Sequence, residues 1–367
     1  MIDAGPVAGT NEINIPYVSV TVCTPGTATT GAACQTIDHV QVDTGSYGLR
    51  LLHSSLYSNL NLPAAHHANG QAVGECTSFA IGTTWGSVRL ADIYLGGEVA
   101  RSVPIQDVGD QPGGAMTIPT DCANTGTIQN TQAQLGANGI LGVGVFTNDC
   151  DSCLTSVVSA SYYACTSTGC ANSTVTSAQV VKNPVALFTN PITSMPQDNN
   201  GVLLVLPAIA AAGASNSLSG SLIFGIGTQA NNGLNGASVY ATDAYGRIKT
   251  TYNNVTLPSY IDSGSNGLFF DDPNIPLCLI TTWAYCPASS PMYLSATNSS
   301  ATGSPIGTFS FSITNTDQLG NNVIAANIGG PSGGNSIWGL PFFFGRSVFT
   351  AIAGATTPGG VGPYFAY

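Results

Sequence analysis

Short runs of alternating apolar and polar residues, separated by turn-forming residues, restrict the fold of this chain more than any other feature. Five such runs are YVSVTVC, HVQVD, SVRLADIYL, SLIFGIG and TFSFSI. Side chains on a strand point alternately to opposite faces, so a period of two predicts strands with one buried face. Glycine, proline, asparagine and serine between the runs mark turns. We therefore predict an all-β fold.

Helical periodicity is scarce, and we expect few and short helices. The stretches that favour them are residues 174–187, residues 273–284 and the segment around Pro207. Residues 148–177 are rich in cysteine, serine, threonine and asparagine, which predicts a loop held by disulfides.

The length of the chain is compatible with two lobes or with one large β domain. It has 367 residues, whereas typical domains have about 100–150. Turn-forming residues crowd together in NPITSMPQDNNG, residues 190–201, so we place a boundary there. We predict a bilobal protein with an N-terminal lobe at residues 1–198 and a C-terminal lobe at residues 199–367.

The scarcity of charged side chains limits the partners that this chain can bind. Charged residues make up 7% of the sequence, and 18 acidic against 7 basic side chains give a net charge of −11. Nucleic-acid binding needs clustered cations, so we expect no nucleic-acid partner. A surface with few charges also gains little self-repulsion as the pH falls, which fits an acidic environment.

The cysteines predict an oxidising compartment. They are Cys23, Cys34, Cys76, Cys122, Cys150, Cys153, Cys165, Cys170, Cys278 and Cys286. An even number, with few histidines nearby and no repeated CxxC blocks, argues against zinc and for up to five disulfides in an exported protein. We expect the local pairs Cys23–Cys34 and Cys278–Cys286, and several connectivities stay open for the group from Cys150 to Cys170. One CxxC in that group has redox spacing, but no βαβ pattern surrounds it.

The first residues and the apolar runs bear on localisation. Met1 to Gly5 lack the basic start and apolar core of an export signal, so we expect the printed sequence to begin after a removed signal. The apolar run nearest to a membrane span, Val202 to Ala212, contains Pro207 and falls short of the ~18 residues required. We expect a secreted, periplasmic or cell-surface protein without a membrane span.

Two segments repeat one pattern around an aspartate. VQVDTGSYGLRLL contains Asp43, and SYIDSGSNGLFF contains Asp262. In each, an apolar residue precedes the aspartate, and threonine or serine, glycine, serine and a glycine–leucine pair follow. Two apolar residues and a glycine come much later, in NGILGVG and in SIWGLPFF. One such motif is weak, but a duplicate separated by more than half of the chain is strong.

At these residues the sequence resembles the pepsin-like aspartic proteases, in a divergent and bacterial style. PYVSVTVCTPG resembles the family's first strand pair, and FAIGTTWGSVRLADIYLGG its flap hairpin. SGSLIFGIG resembles the strand that opens the second lobe, and SIWGLPFFFGRSVFTAI a segment near the C-terminus. The resemblance covers residues 16–352 and is weakest over residues 148–195. It implies two β-barrel-like lobes that flank a central cleft.

The resemblance implies that Asp43 and Asp262 are catalytic. Two carboxylates held close together cannot both ionise, so such a pair shares one proton. The ionised oxygen acts as general base on a water, and the protonated one polarises the scissile carbonyl. The function implied is an exported endopeptidase that cleaves polypeptides at acidic pH, as a monomer, without a metal, a cofactor or a covalent intermediate.

Six further residues match positions that support the two aspartates in this family: Thr44, Gly45, Ser46, Ser263, Gly264 and Ser265. Thr44 and Ser263 are expected to hydrogen-bond across the lobe interface. The glycines allow a tight turn, and the last serines are expected to bond the outer carboxylate oxygens. An extended peptide is expected to bind through its backbone and through apolar pockets supported by Phe269 and Phe270.

The flap departs from the family pattern. The family has a tyrosine before a Gly-Thr pair, where this chain has Ile81-Gly82-Thr83, and isoleucine cannot donate the tyrosine's hydrogen bond. These three residues and Trp85 are the candidate substrate-binding residues, with a core position as the alternative for Trp85. The tryptophan expected after the first motif is replaced by Arg50 or Leu51. This implies lower activity or a flap of different build.

Other interpretations stay open. One is a catalytically weak or inactive protein of the same fold that binds a partner, and another is a structural adhesin. The aspartates are also compatible with Asx turns. Ordinary structural roles are expected for the histidines, which are His39, His53, His66 and His67.

Two local motifs are weaker. The G-x-S-x-G match at residues 330–334 has no helix pattern and no histidine after it, so the order of an α/β-hydrolase triad is impossible. Asp271 and Asp272, which precede Pro273, are expected to cap a helix.

Overall fold

The structure of the protein, a computed structural model, describes residues 1–10, 12–27 and 33–367. Strands account for 41% of it and helices for 7%. Within these ranges the α-helices are two single turns, α1 (Thr120–Ala123) and α2 (Gln132–Leu135). Short 3₁₀ turns occur at His53–Ser55, Pro112–Gly114, Ser152–Leu154, Pro184–Leu187, Thr316–Gln318 and Leu340–Phe342. The predicted all-β fold is confirmed.

A nine-stranded sheet builds the first lobe. Its strands are β1 (Tyr17–Cys23), β2 (Cys34–Asp43), β3 (Tyr47–Leu52), β4 (Ala72–Phe79), β5 (Gly82–Leu95), β6 (Glu98–Val108), β7 (Gly139–Val143), β8 (Tyr162–Thr166) and β9 (Gly169–Asn172). Their spatial order is β1-β2-β7-β3-β6-β5-β4-β8-β9, and β1 also pairs with β5. This extra pairing curls the sheet into a barrel-like shape.

The second half of the chain forms two larger sheets and a small hairpin. Its strands are β10 (Gly201–Val205), β11 (Ser221–Phe224), β12 (Val239–Ala241), β13 (Ile248–Tyr252), β14 (Val255–Ile261), β15 (Leu268–Phe269), β16 (Met292–Ser299), β17 (Ile306–Ile313), β18 (Gly329–Gly330), β19 (Ser336–Trp338), β20 (Ser347–Ala351), β21 (Thr356–Thr357), β22 (Gly360–Val361) and β23 (Tyr364–Ala366). One sheet has the order β17-β16-β13-β14-β19-β15-β18, and the other β11-β10-β20-β23-β12. β21 pairs with β22.

Two main apolar cores correspond to two lobes. Leu49 and Leu141 lie in the first core, and Trp338 lies in the second, packed among phenylalanine rings. Strand β10 of the five-stranded sheet contributes to both, because Val202 packs in the first core and Leu204 in the second. The protein is therefore bilobal, with a sheet that connects the lobes. The boundary between residues 198 and 199 stays a prediction.

The same three-strand arrangement carries each aspartate. β2 ends at Asp43 and lies parallel to β7, which pairs antiparallel with β3. β14 precedes Asp262 and lies parallel to β19, which pairs antiparallel with β15. The two apolar–apolar–glycine segments thus lie in β7 and in β19 with the residue after it. Each of these strands lies between the two strands that flank an aspartate loop. Their glycines allow this approach, since a methyl group at Gly142 would lie 2.6 Å from the Tyr47 nitrogen.

All ten cysteines form disulfides. Cys23–Cys34 and Cys278–Cys286 confirm the expected local pairs. The group left open by the sequence resolves into Cys150–Cys153 and Cys165–Cys170, and Cys76 pairs with Cys122. Five disulfides indicate an oxidising compartment. In the described part of the chain, no helix combines the length and apolar character that a membrane crossing requires.

The predictions of local structure are confirmed only in part. Residues 174–187 include the short 3₁₀ turn at Pro184–Leu187, whereas the segment around Pro207 contains no helix, because proline cannot donate a helical hydrogen bond. Residues 273–284 form turns closed by the Cys278–Cys286 disulfide. Residues 148–177 are not only a loop, since they include the hairpin of β8 and β9.

Candidate active site

Each aspartate is held by the loop that follows it. The Gly45 N–H donates to Asp43 Oδ1 over 2.7 Å, and the Ser46 hydroxyl donates to Oδ2 over 2.5 Å. The second loop repeats this geometry at Asp262, with 2.8 Å from the backbone N–H two residues later and 2.6 Å from the serine hydroxyl three residues later. Both carboxylates are thereby fixed by equivalent contacts.

Hydrogen bonds between Thr44 and Ser263 join the two loops. The Thr44 hydroxyl donates to the Ile261 carbonyl over 2.9 Å, and the Ser263 hydroxyl donates to the Val42 carbonyl over 2.8 Å. Each hydroxyl oxygen also accepts the backbone N–H of the opposite residue, over 3.1 Å from Thr44 and 2.9 Å from Ser263. Both side chains are buried. The positions of the two aspartates are therefore coupled across the lobe interface.

The two carboxyl groups face each other closely. A methyl group at Gly45 would lie 2.6 Å from the Asp262 carboxyl carbon, and one at Gly264 would lie 2.6 Å from that of Asp43. Asp43 is 7% exposed. Burial, the charge of Asp262 and a hydrogen bond to Asp262 all raise the pKa of Asp43, while bonds from Ser46 and Gly45 lower it. The net shift of the Asp43 pKa is well upward, so Asp43 holds its proton to a higher pH than an ordinary aspartate does.

Two unlike pockets flank the aspartates. The larger, of about 650 Å³, is rich in polar groups: Ser46, Tyr47, Arg50, Thr77, Ser78, Asp149, Ser161, Tyr162 and Tyr260. The smaller, of about 270 Å³, is bordered by a set of apolar side chains: Ile15, Phe79, Ile81, Leu135, Ile140 and Phe269. Both pockets include Asp43 and Asp262, so the carboxyl groups lie where the pockets meet.

The β4–β5 hairpin covers the junction of the pockets. Phe79 and Ala80, at its tip, border both pockets, and Ile81 borders the smaller one with 57% of its surface exposed. Gly82 and Thr83 do not border either pocket. They fasten the hairpin to the following chain, since the Thr83 N–H donates to the Thr127 carbonyl over 2.8 Å.

Trp85 lies in the core and not over the cleft. It is 4% exposed and packs edge-on against Tyr163, with ring centres 5.2 Å apart. It shares this cluster with the disulfide sulfurs of Cys76 and Cys122. This position matches the alternative from the sequence analysis, in which Trp85 is a core residue.

Sequence reasoning missed most of the residues that border the cleft, among them Phe79, Ala80, Arg50 and Asp149. Phe79 and Ala80 stand directly before the assigned flap residues, and hairpin length alone decides which residue reaches the tip. Arg50 and Asp149 lie 99 residues apart in sequence and meet in the larger pocket. A single arginine in the apolar run YGLRLL was the available signal, because a buried cation requires anionic partners.

In the described part of the chain, two groups of side chains have metal-like spacing. The first is Cys278, Cys286 and Asp317, but its sulfurs are joined as a disulfide. The second is His53, Asp107 and Asp110, whose carboxylates are bridged by the Arg89 guanidinium at 3.0 Å and 2.6 Å. A disulfide therefore explains the first group and ion pairs explain the second, and we assign no metal to either group.

The remaining histidines also have local partners. His39 lies 3.4 Å from Asp3 and 3.3 Å from Asp38. A ring nitrogen of His66 lies 3.0 Å from the Ala64 carbonyl. Among the described residues that border the two pockets there is no histidine.

The acidic pair after β15 does not cap a helix, which corrects the sequence prediction. Asp271 accepts backbone N–H groups from residues 332–334, and so fastens the G-x-S-x-G loop as a structural element. Asp272 accepts the Tyr252 hydroxyl over 2.7 Å. No helix follows because the chain turns at Pro273 and Pro276 toward the disulfide loop.

A family model described as a protein of unknown function, DUF3443, matches residues 1–367. The chain belongs to the DUF3443 family. Among curated proteins, none matches this DUF3443 chain.

The site of this DUF3443 protein offers one type of chemistry. An Asp43 carboxyl group that holds its proton, facing a second carboxyl group, can supply an acid and a base to the same cleft. Such a pair can take a proton from a bound water and donate one to a polarised carbonyl.

Proposed function

We propose that this protein is an aspartic endopeptidase that hydrolyses peptide bonds in polypeptides at acidic pH. The proposal combines the resemblance of its two motifs to pepsin-like aspartic proteases with one observation. Equivalent loops present Asp43 and Asp262 to each other at the meeting point of two pockets. A solitary structural aspartate needs neither a partner carboxylate nor a cleft.

The proposed reaction moves protons between water, substrate and the two carboxyl groups. The ionised carboxylate takes a proton from water as the water oxygen attacks the scissile carbonyl carbon. The protonated carboxyl donates its proton to the carbonyl oxygen. The carbon–nitrogen bond then breaks as the amine nitrogen takes the proton that came from the water, and one hydroxyl of the tetrahedral intermediate gives its proton to the other carboxylate as the carbonyl forms again. The pair thereby returns to its singly protonated state. The mechanism uses no metal, cofactor or covalent intermediate.

The proposed substrate is an extended polypeptide with an apolar residue on one side of the scissile bond. The smaller pocket accepts that residue because Leu135, Ile140 and Phe269 border it. The larger pocket presents mainly hydroxyl and charged groups. We expect the side chain on the other side of the bond to be less restricted to apolar types.

The proposed location is outside the cytoplasm. Five disulfides support an oxidising compartment, and secreted, periplasmic and cell-surface sites all meet that condition. We take the active form to be a monomer, since both aspartates come from one chain.

A second candidate is a protein that binds polypeptides or another partner without cleaving them. The hairpin tip favours it, because Phe79, Ala80 and Ile81 carry no side-chain hydroxyl that could hydrogen-bond to the substrate over the two aspartates. This candidate keeps the cleft and the proton pair but predicts no turnover.

Incubation with an unfolded casein-like substrate from acidic to neutral pH, with and without a statine-type transition-state mimic, separates the two candidates. The endopeptidase predicts cleavage at acidic pH that the mimic blocks. Binding of the mimic without cleavage at any pH, by a protein with a cooperative thermal transition, would favour the binder. Cleavage that the mimic leaves unchanged would contradict the proposed mechanism.

A further inference from the structure

Arg50 is a buried cation in the wall of the cleft. It lies on β3, in the strand that leads away from the Asp43 loop, and its side chain is 1% exposed. Nη1 donates to the Tyr47 carbonyl over 2.7 Å. This bond fixes the Arg50 side chain to β3, the strand that follows the Asp43 loop. Arg50 also borders the larger pocket.

The guanidinium contacts one face of the hairpin strand β4. Nη2 donates to Glu75 Oε1 over 2.6 Å, and Nε and Nη2 donate to the Thr77 hydroxyl oxygen over 3.3 Å and 3.2 Å. The guanidinium carbon lies 5.7 Å from the centre of the Phe79 ring. Residues 75, 77 and 79 alternate along the strand and so share a face. Arg50 therefore follows this face of β4 up to the tip.

A second carboxylate holds Arg50 from outside the hairpin. Nη2 donates to Asp149 Oδ2 over 2.9 Å, and Asp149 Oδ1 accepts the Tyr162 hydroxyl over 2.8 Å. The Tyr162 oxygen in turn accepts the Val181 N–H over 2.8 Å. The arginine is thus held between the hairpin and the segment that carries Asp149, and its Nε and both Nη atoms donate within the protein.

We propose that Arg50 is a positioning residue that sets the height of the hairpin tip over Asp43 and Asp262. It connects the strand after the first catalytic loop to the β4 face that ends at Phe79. Because its nitrogen atoms are engaged within the protein, it acts through the hairpin and not on the substrate. The expected effect of Arg50 on turnover rests on the proposed endopeptidase function, whereas its expected effect on the hairpin does not.

The test compares Arg50→Gln and Arg50→Lys with a matched control, Arg89→Gln. Arg89 also bonds two carboxylates in the first lobe, Asp107 and Asp110, but borders neither pocket. Thr77→Val is a milder variant that keeps the Arg50–Glu75 and Arg50–Asp149 ion pairs and removes only the hydroxyl between them. It keeps the inference testable if Arg50→Gln does not fold.

Amide hydrogen exchange over residues 72–82, measured without substrate, is the first readout. We expect Arg50→Gln to raise exchange at the tip by about tenfold over wild type, Thr77→Val to raise it less, and Arg50→Lys to restore part of the protection. Arg89→Gln should leave the tip unchanged. Tip exchange in the folded Arg50 and Thr77 variants equal to that in Arg89→Gln would overturn the inference.

Peptide hydrolysis is the second readout. A residue that only supports folding lowers the amount of active enzyme and leaves KM unchanged, whereas a misplaced tip weakens both binding and turnover. We expect Arg50→Gln to raise KM and to lower kcat/KM by about tenfold or more, with Arg89→Gln near wild type. An unchanged KM would overturn the positioning role. If wild type cleaves nothing while the exchange pattern is as expected, the proposed function fails and the positioning role stands.

Discussion

At the residue scale, glycine is required beside each aspartate because the opposite carboxyl group occupies the space of a side chain. A methyl group at Gly264 would lie 2.5 Å from Asp43 Oδ1, and one at Gly45 would lie 2.6 Å from Asp262 Oδ1. Neither glycine has a left-handed backbone conformation. Glycine is therefore required because a side chain would collide with the opposite carboxyl group, and not because of backbone strain. Each loop thus limits the distance between the two acids.

Substitution of Gly264 by alanine should separate the two carboxyl groups. We expect Gly264→Ala to fold and to lose about a hundredfold or more in kcat, because misplacement by about 1 Å has this effect on catalysis. Hydrolysis rates and thermal transitions of the variant provide the check.

Gly233→Ala is the control, since a methyl group there meets nothing closer than 3.4 Å. Near wild-type turnover by folded Gly264→Ala would show that the facing geometry is not needed.

The sequence indicates the aspartates and their neighbours because a duplicated local pattern encodes both loops. It does not indicate the Arg50–Asp149 contact, since residues 99 positions apart meet only through the order of the strands. Phe79 was missed for another reason. The register that pairs Phe79 with Gly82 sets the hairpin tip, and side-chain pattern alone does not fix that register.

At the scale of elements, strand pairs place the pockets. The β4–β5 tip closes both pockets from one side, whereas β15 contributes Phe269 to the smaller one only. Phe269 packs against the Trp283 ring, with ring centres 5.8 Å apart. The smaller pocket therefore has an aromatic wall.

Removal of this wall should change substrate choice. We expect Phe269→Ala to lower kcat/KM by about tenfold for peptides with leucine or phenylalanine beside the scissile bond, and much less for peptides with alanine there. Competition between such peptides measures the ratio.

Phe344→Ala is the control, because this buried ring borders a groove that contains neither aspartate. Equal losses for large and small side chains in Phe269→Ala would contradict the assigned pocket.

The strands were predictable because their alternation is local, and the short helices were not. The alternating runs HVQVD and TFSFSI lie in β2 and β17. Residues 273–284 carry a helix-like apolar spacing, but the Cys278–Cys286 disulfide and the prolines impose turns. The disulfide and the prolines therefore override the weak helical propensity of this segment.

At the scale of the whole molecule, several buried acids bind protons more tightly in the folded state. Burial raises the pKa of Asp107 to about 6, and burial with a neighbouring carboxylate raises those of Asp43 and Asp149. Such groups stabilise the fold below the unfolded pKa, and this stability is lost as the pH rises through the folded pKa. Acids with lowered pKa, such as Asp110, Asp271 and Asp272, act oppositely, but their stabilising effect is lost only as the pH falls below about 5.

Stability should therefore decrease from mildly acidic to neutral pH. We expect the thermal transition temperature to fall between about pH 5 and pH 7. Asp43→Asn should make this slope shallower because a neutral amide replaces a group that must ionise. Asp271→Asn should leave the slope unchanged. A transition temperature that rises with pH in this window would contradict the upward shifts.

The shared role of Asp43 and Asp262 is tested most directly by the initial rate on an unfolded protein substrate at acidic pH. We expect Asp43→Asn and Asp262→Asn each to lose about a thousandfold or more with the fold intact, since groups that act as a unit fail together. Asp271→Asn, an aspartate outside both pockets, should retain wild-type turnover. Most of the activity surviving in either dyad variant would contradict the account.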